Sequence, residues 1–195
     1  MPHHVVYVPG LGDNNNAPGQ RIAVGLWRIW GVHPHFCQMN WSDKQPFKPK
    51  FDKLLALIDT LSKQGAVSLV GSSAGAAAIV NAFAARPDLK GVACIAGKIN
   101  NPQTVGEAYK RKNPAFWESI QQTPASLAQL SNEQRAKIVS VYAPYDGVVP
   151  PEDSIVPGAH NRQVRNNLHP IVIATQLVFG APKLLRFLQD IDKQA

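Results

Sequence analysis

Short β-rich runs alternate with helical stripes along this chain. Val5 to Val8 is an apolar run closed by Pro9-Gly10, and the polar stretch Gly12 to Asn16 reads as a loop. From Ala17 to Trp30 the spacing is helical, with Ile22, Leu26, Ile29 and Trp30 predicted as one buried face. His35 to Met39 is a second predicted strand, and Trp41 to Lys50 a loop rich in Pro and Lys. Phe51 to Gln64 is an amphipathic helix: Phe51, Leu54, Leu55, Ile58 and Leu61 form one stripe, and Gly65 is placed to cap it. Further strands are predicted at Ala66 to Val70, Gly91 to Ala96, Lys137 to Ala143 and Ala159 to Val164. The last helical region, Pro170 to Ile191, is interrupted by Gly180-Ala181-Pro182.

Strands separated by helical segments imply a parallel sheet with helices on both faces. A chain of 195 residues is long enough for one domain with a sizeable core. In such sheets the loops at the carboxyl ends of the strands build the site. One segment breaks the rhythm. Asn100 to Ala136 is longer than a simple connection, carries helical patches around Phe116 to Ile120 and Leu127 to Leu130, and reads as a small cap insertion above the site.

The chemistry starts at Gly71-Ser72-Ser73-Ala74-Gly75, a G-x-S-x-G pentad between a strand and the small-residue helical run Ala76 to Phe83. Side chains two positions either side of such a turn would collide, so glycine is required there. The turn lifts the hydroxyl of Ser73 out of the sheet edge, and Ser73 is the expected nucleophile. A serine hydroxyl needs a base, and the base needs an orienting group.

The expected chain order is serine, acid, histidine. Asp146 follows the fifth strand in Tyr145-Asp146-Gly147-Val148-Val149-Pro150 and is the favoured acid, with Asp153 the competitor deeper in the loop. His169 stands before the last helix in Asn166-Asn167-Leu168-His169-Pro170 and is the favoured base; His160, at the start of the sixth strand, is the alternative. An oxyanion hole needs two donors. The N–H after the nucleophile, Ala74, is one, and Leu11 N–H in Pro9-Gly10-Leu11-Gly12 is the other.

Charge and composition then narrow the field. The formal net charge of +7 raises nucleic acid, an anionic membrane surface or an acidic substrate as partners. Lys110-Arg111-Lys112 is the single tight basic cluster and has no interleaved aromatics, so the charge reads as solvated surface and no nucleic-acid role is expected. No apolar run reaches membrane-spanning length, and Met1 to Val8 lacks a basic, cleavable leader, which makes the cytoplasm the expected location. Cys37 and Cys94 are expected as buried free thiols. His33-x-His35-x-Cys37 could put three metal ligands on one strand face, but no fourth ligand accompanies them and no metal is expected.

These residues resemble the α/β-hydrolase superfamily over nearly the whole chain, and in particular the minimal, lid-poor bacterial lipases and small serine esterases. The elbow, the Asp146-Gly147-Val148-Val149 turn, Gly158-Ala159-His160-Asn161 and Asn167-Leu168-His169 carry the similarity. The resemblance implies a compact α/β-hydrolase fold of about six mostly parallel strands with a small helical insertion. It also implies a Ser73–His169–Asp146 triad and ester hydrolysis without a cofactor. Pro9 stands where the family usually has histidine before the oxyanion-loop glycine, and Ser72 stands where lipases often have histidine. With no leader, small acyl esters are the expected substrates; the alternatives are a thioesterase, amidase or peptidase using the same triad, or a non-catalytic binding protein of this fold.

Overall fold

In the computed structural model, residues 1–165 and 167–191 are described, those at 14–17 by their backbone only. Six strands form one sheet: β1 (His3–Val8), β2 (His33–Phe36), β3 (Ala66–Ser72), β4 (Gly91–Ile95), β5 (Ile138–Tyr142) and β6 (His160–Gln163). The order is β2-β1-β3-β4-β5-β6, and every neighbouring pair is parallel. The chain moves from β1 out to the β2 edge, then crosses back to β3 and proceeds the other way. Right-handed crossovers therefore put the first helix on one face and the following ones on the other. The carboxyl ends of β1 and β3 flank the point where the direction reverses, which is where open sheets of this kind bind ligands.

Helices α2 (Phe47–Ser62), α3 (Ala74–Ala85) and α5 (Pro114–Gln129) share one core, against Val6, Val8, Leu69 and Val92 of the strands. Helix α1 (Asp13–Gly25), its 3-10 extension Leu26–Trp30, and helices α8 (His169–Thr175) and α9 (Ala181–Asp190) share the other, against Val5, Tyr7, Val70 and Val139. Helix α3 is buried along its length, and its alanines let α5 approach closely; Asn81 Nδ2 donates to Ser119 O at 2.9 Å across that contact. The segment 100–136 divides into a 3-10 turn at Pro102–Thr104, helix α4 (Glu107–Lys112), α5 and the short α6 (Asn132–Arg135). Of these, α5 is the layer helix between β4 and β5. The short α7 (Pro151–Ser154) follows β5.

Several expectations from the sequence shift. Gly12 to Asn16 is not a loop, because α1 begins at Asp13. Its inward face is not the predicted one. Val24 and Trp27 are buried, whereas Ile22, Leu26, Ile29 and Trp30 are 70%, 53%, 72% and 42% exposed. The helix starts earlier and tightens to 3-10 geometry at Leu26, which changes the phase of the stripe. Trp27 has the largest surface to bury and gains a hydrogen bond from Nε1 to Leu177 O at 2.9 Å.

Strand β2 lies earlier than predicted, over His33–Phe36. Its imidazoles and Pro34 obscured it, but Pro is tolerated on an edge strand. Gly65 does not adopt a left-handed cap; a Cβ there would lie 2.1 Å from Pro2 O, so close backbone approach is what demands glycine. Gly180-Ala181-Pro182 does not break the last helix. Pro182 cannot donate to residue 178, and the ladder widens to a π turn over Gln176–Gly180 instead. The resulting helix, His169–Asp190, has 22 residues and by length and composition alone is apolar enough to cross a membrane. It packs on the sheet through Val172, Leu177, Leu184, Leu185 and Leu188.

Candidate active site

The elbow is built from the collision it avoids. Strand β3 ends at Ser72 and α3 begins at Ala74, so one residue must reverse the chain. Ser73 does so at φ 50° and ψ −121°. For a residue bearing a Cβ this conformation costs about 1–3 kcal/mol and persists only where its surroundings enforce it. A Cβ on Gly75 would lie 2.2 Å from Val8 O, and one on Gly71 would lie 2.7 Å from Gly75 O. Both glycines of the pentad are thus required by backbone atoms that cannot move aside.

The loop after β1 crosses directly over the serine. A Cβ on Gly10 would come 2.7 Å from Ser73 Cβ and 3.3 Å from its Oγ. Two contacts that the sequence did not suggest pin this loop. Trp41 Nε1 donates to Pro9 O at 2.9 Å, and the Asp13 carboxylate accepts Met39 N at 3.0 Å and Asn40 N at 2.6 Å. Asp13 directly after Gly12 could have been read as an acid in the first turn of a helix. Pro9 is buried and its carbonyl serves as the acceptor for Trp41. Neither Leu11 N–H nor Ala74 N–H has an acceptor among the described residues. Asn14 to Asn16, suggested as pocket-lining amides, have side chains outside the described residues.

Asp146 and His169 come together as the sequence predicts. His169 Nδ1 lies 2.7 Å from Asp146 Oδ1 and 2.8 Å from Oδ2, and His169 N donates to Asp146 O at 3.0 Å. Oδ1 also accepts Val148 N at 3.1 Å and Val149 N at 2.8 Å, a turn closed by Gly147 at φ 80°. The carboxylate is buried and accepts only, so Nδ1 carries its hydrogen and Nε2 is left with a lone pair. His169 and Ser73 line the same cleft, with no hydrogen bond between them among the described residues. Such bonds are often long in an unliganded site.

The two competitors lie elsewhere. Asp153 is buried and paired with Lys98; Lys98 Nζ also donates to Thr104 Oγ1 at 2.7 Å and Asn101 O at 3.2 Å. His160 packs edge-on against Phe187, ring centroids 5.0 Å apart. Ser72 points back under the sheet edge, its Oγ 2.7 Å from Tyr7 Oη. Burial pushes the Tyr7 phenol above its ordinary range, against the opposing pull of the Ser72 bond. This buried Tyr7–Ser72 pair explains why a serine suits the position before the nucleophile.

Two clefts meet at Leu11 and Ser73, each of about 320 Å³. One runs between α1 and α8, past Gln20, His169, Pro170 and Ile173. The other runs under α4, past Val105, Tyr109, Phe116, Val148 and Val149, with the Lys98–Asp153 pair in its wall. No group of three or more His, Cys, Asp or Glu fit to hold a metal occurs among the described residues. In the His33-x-His35-x-Cys37 run, His35 Nε2 lies 3.0 Å from His4 Nδ1. Cys37 and Cys94 are free and buried.

The fold is that of the α/β-hydrolases. No family model and no curated protein matches the sequence. Among solved structures the chain is similar to one described with LipS and LipT, two metagenome-derived lipolytic enzymes. There the TM-score is 0.73 at 14% identity, over 97% of this chain and 94% of that one. It is similar to Est1E from Butyrivibrio proteoclasticus, at TM-score 0.69 and 14% identity over 99% and 89% of the two chains. A carboxylesterase structure from the ammonia-oxidizing Thaumarchaeon Nitrososphaera gargenis aligns at TM-score 0.67 and 15% identity, over 100% and 93%. At these identities the likeness is one of fold, so what the site described above can do is read from its own geometry.

Proposed function

We propose that this α/β-hydrolase is a serine carboxylesterase acting on small acyl esters through an acyl-enzyme. The observation that carries the reading is a strained Ser73 sharing a cleft with a histidine whose other nitrogen is held by a buried carboxylate. Ser73 Oγ attacks the acyl carbonyl while His169 Nε2 takes its proton. Asp146 keeps the imidazole in that tautomer and stabilises the cation that forms. Ala74 and Leu11 N–H groups receive the oxyanion, with the N-terminus of α3 adding its dipole. His169 returns the proton to the departing alcohol, and a water activated by the same nitrogen releases the acid. No cofactor enters these steps.

The two clefts suit the two halves of an ester, one on each side of Ser73. Thr104, Val105 and Tyr109 line the cleft under α4, which supports a cap role for residues 102–112 within the 100–136 segment. A fluorophosphonate probe tests the nucleophile. Labelling is expected on wild type and Ser72→Ala and absent from Ser73→Ala. A folded wild-type sample that stays unlabelled from mildly acidic to basic pH overturns the reading. A chain-length series of p-nitrophenyl esters then reads the depth of the acyl cleft.

A further inference from the structure

The positive charges are dispersed along the chain, but the negative ones are not. Residues 14–42 and 154–189 contain no Asp and no Glu. They carry Arg21, Arg28, Arg162, Arg165, Lys183 and Arg186, which leaves 14 cations against 13 acids in the rest of the molecule. Nearly all of the net charge therefore belongs to two segments far apart in sequence. The fold puts them together. The first supplies α1 and its 3-10 extension, the second α8 and α9, and both pack on the same face of the sheet. Trp27 Nε1 donates to Leu177 O at 2.9 Å and Gln189 Nε2 to Trp30 O at 3.1 Å, fixing the two side by side.

The same two segments expose the large apolar side chains. Ile22, Leu26, Ile29 and Trp30 stand out from α1 and its extension, and Phe179, 81% exposed, and Val178 from the π turn. Leu168 and Ile171 add to them beside His169. In the helix His169–Asp190, only 44% of the apolar window is buried, so the outward side is apolar as well. Lys183 and Arg186 stand exposed along this helix, and Arg162 lies against its Phe187. The cleft holding Ser73 and His169 lies between these two helices.

We infer that the face formed by α1, α8 and α9 docks on an anionic phospholipid bilayer. Apolar side chains enter the headgroup region while arginine and lysine meet the lipid phosphates, the chemistry by which amphipathic surfaces bind lipid. A second copy is a poor occupant, because pairing this face with itself would oppose two surfaces on which Arg162, Lys183 and Arg186 outnumber Asp190 at the end of α9. Nucleic acid is a poor occupant too, because the exposed side chains are mostly aliphatic, and Trp30 and Phe179 are the two aromatics among them that could stack on bases. The inference does not depend on catalysis.

The test is sedimentation with vesicles, using the Ser73→Ala variant so that turnover plays no part. Vesicles of phosphatidylcholine alone are compared with vesicles in which about a third of the lipid is phosphatidylglycerol. Binding is expected to be about tenfold or more tighter to the anionic vesicles, and to weaken as salt rises. Lys183→Glu with Arg186→Glu should remove the anionic preference. Leu26→Ser with Ile29→Ser and Phe179→Ser should weaken binding about tenfold or more. These positions are exposed, so both variants should keep wild-type thermal melting and, with Ser73 restored, hydrolysis of soluble p-nitrophenyl acetate. Equal binding to both vesicle types, or binding unchanged by either set of substitutions, overturns the inference. So does a dimer in sedimentation velocity that the same substitutions dissolve, or a nucleic-acid complex that they abolish in preference to vesicle binding.

Discussion

Asp146→Asn preserves the shape of the acid and removes its charge, which makes it the sharpest probe of the site. In the native structure Oδ1 accepts from Val148 N and Val149 N, and both carboxylate oxygens face His169 Nδ1, at 2.7 and 2.8 Å. An asparagine can keep its carbonyl oxygen on the two backbone N–H groups. Its NH₂ then occupies the position of Oδ2, where a donor would face the N–H at Nδ1. The imidazole resolves the conflict by moving its hydrogen to Nε2. That nitrogen can no longer accept the proton of Ser73, so the wrong tautomer, not a lost contact, stops the reaction.

In serine-protease triads the same substitution lowers turnover by about 10⁴, equivalent to about 5.5 kcal/mol of transition-state stabilisation. A loss of about 10³–10⁴ in kcat/KM for p-nitrophenyl acetate is expected here. Melting should move by only a few degrees, because the backbone bonds survive. Asp153→Asn, acting on the Lys98 pair, should leave turnover per folded molecule within about threefold. An Asp146→Asn protein that folds and retains more than about a tenth of wild-type kcat/KM would refute the assignment, and a large loss confined to Asp153→Asn would transfer the role.

Other outcomes follow from the packing and the buried groups. Gly75→Ala should cost about 3 kcal/mol or more, read as a melting point lower by about 6 °C or more, since its Cβ would meet Val8 O at 2.2 Å. Gly19→Ala, with nothing within 4 Å of the new methyl, should be neutral or stabilising by up to about 1 kcal/mol, and equal losses at both sites would refute the steric account. Lys98→Met leaves Asp153 buried without its partner and should cost about 3–5 kcal/mol in chemical denaturation, while Lys98→Met with Asp153→Leu should recover most of it. Burial holds the His4 and His35 imidazoles below their ordinary 6.5, with His33 adding to both and His4 and Arg28 to His35. The unfolded chain therefore takes up protons first on acidification, so stability is full above about pH 6.5 and falls below it. Melting points between about pH 7.5 and 5 should show that slope in wild type and a flatter one in His4→Asn/His35→Gln; identical slopes would refute it. Burial also raises the Cys37 thiol and pushes Cys94 up to about 12, so iodoacetamide at about pH 8 should label neither until the protein unfolds.

Much of the site was legible because its constraints are local. The pentad around Ser73 needs glycine at two fixed offsets, Asp146 needs a turn directly after a strand, and His169 needs to open a helix. Each requirement is written within a few residues. The alternating strands and helices likewise reported the parallel sheet, since a period-2 run and a 3.6-residue stripe are properties of short windows. What local pattern could not report was which side of a stripe wins. The spacing of Ile22, Leu26, Ile29 and Trp30 was helical, yet Trp27 took the interior because Tyr7 and Leu177 were there to receive it.

The same holds for pairs distant in the chain. Asp153 was a competitor to Asp146 until the fold placed Lys98, 55 residues away, beside it. The acid-free stretches at 14–42 and 154–189 were each present in the sequence, but only their packing on one face of the sheet made a single surface of them. Sequence determined the chemistry each segment carries, because side-chain type and short-range sterics suffice for that. Tertiary structure decided which of those chemistries meet, because that depends on strand order and on the burial each side chain can gain from partners remote in the chain.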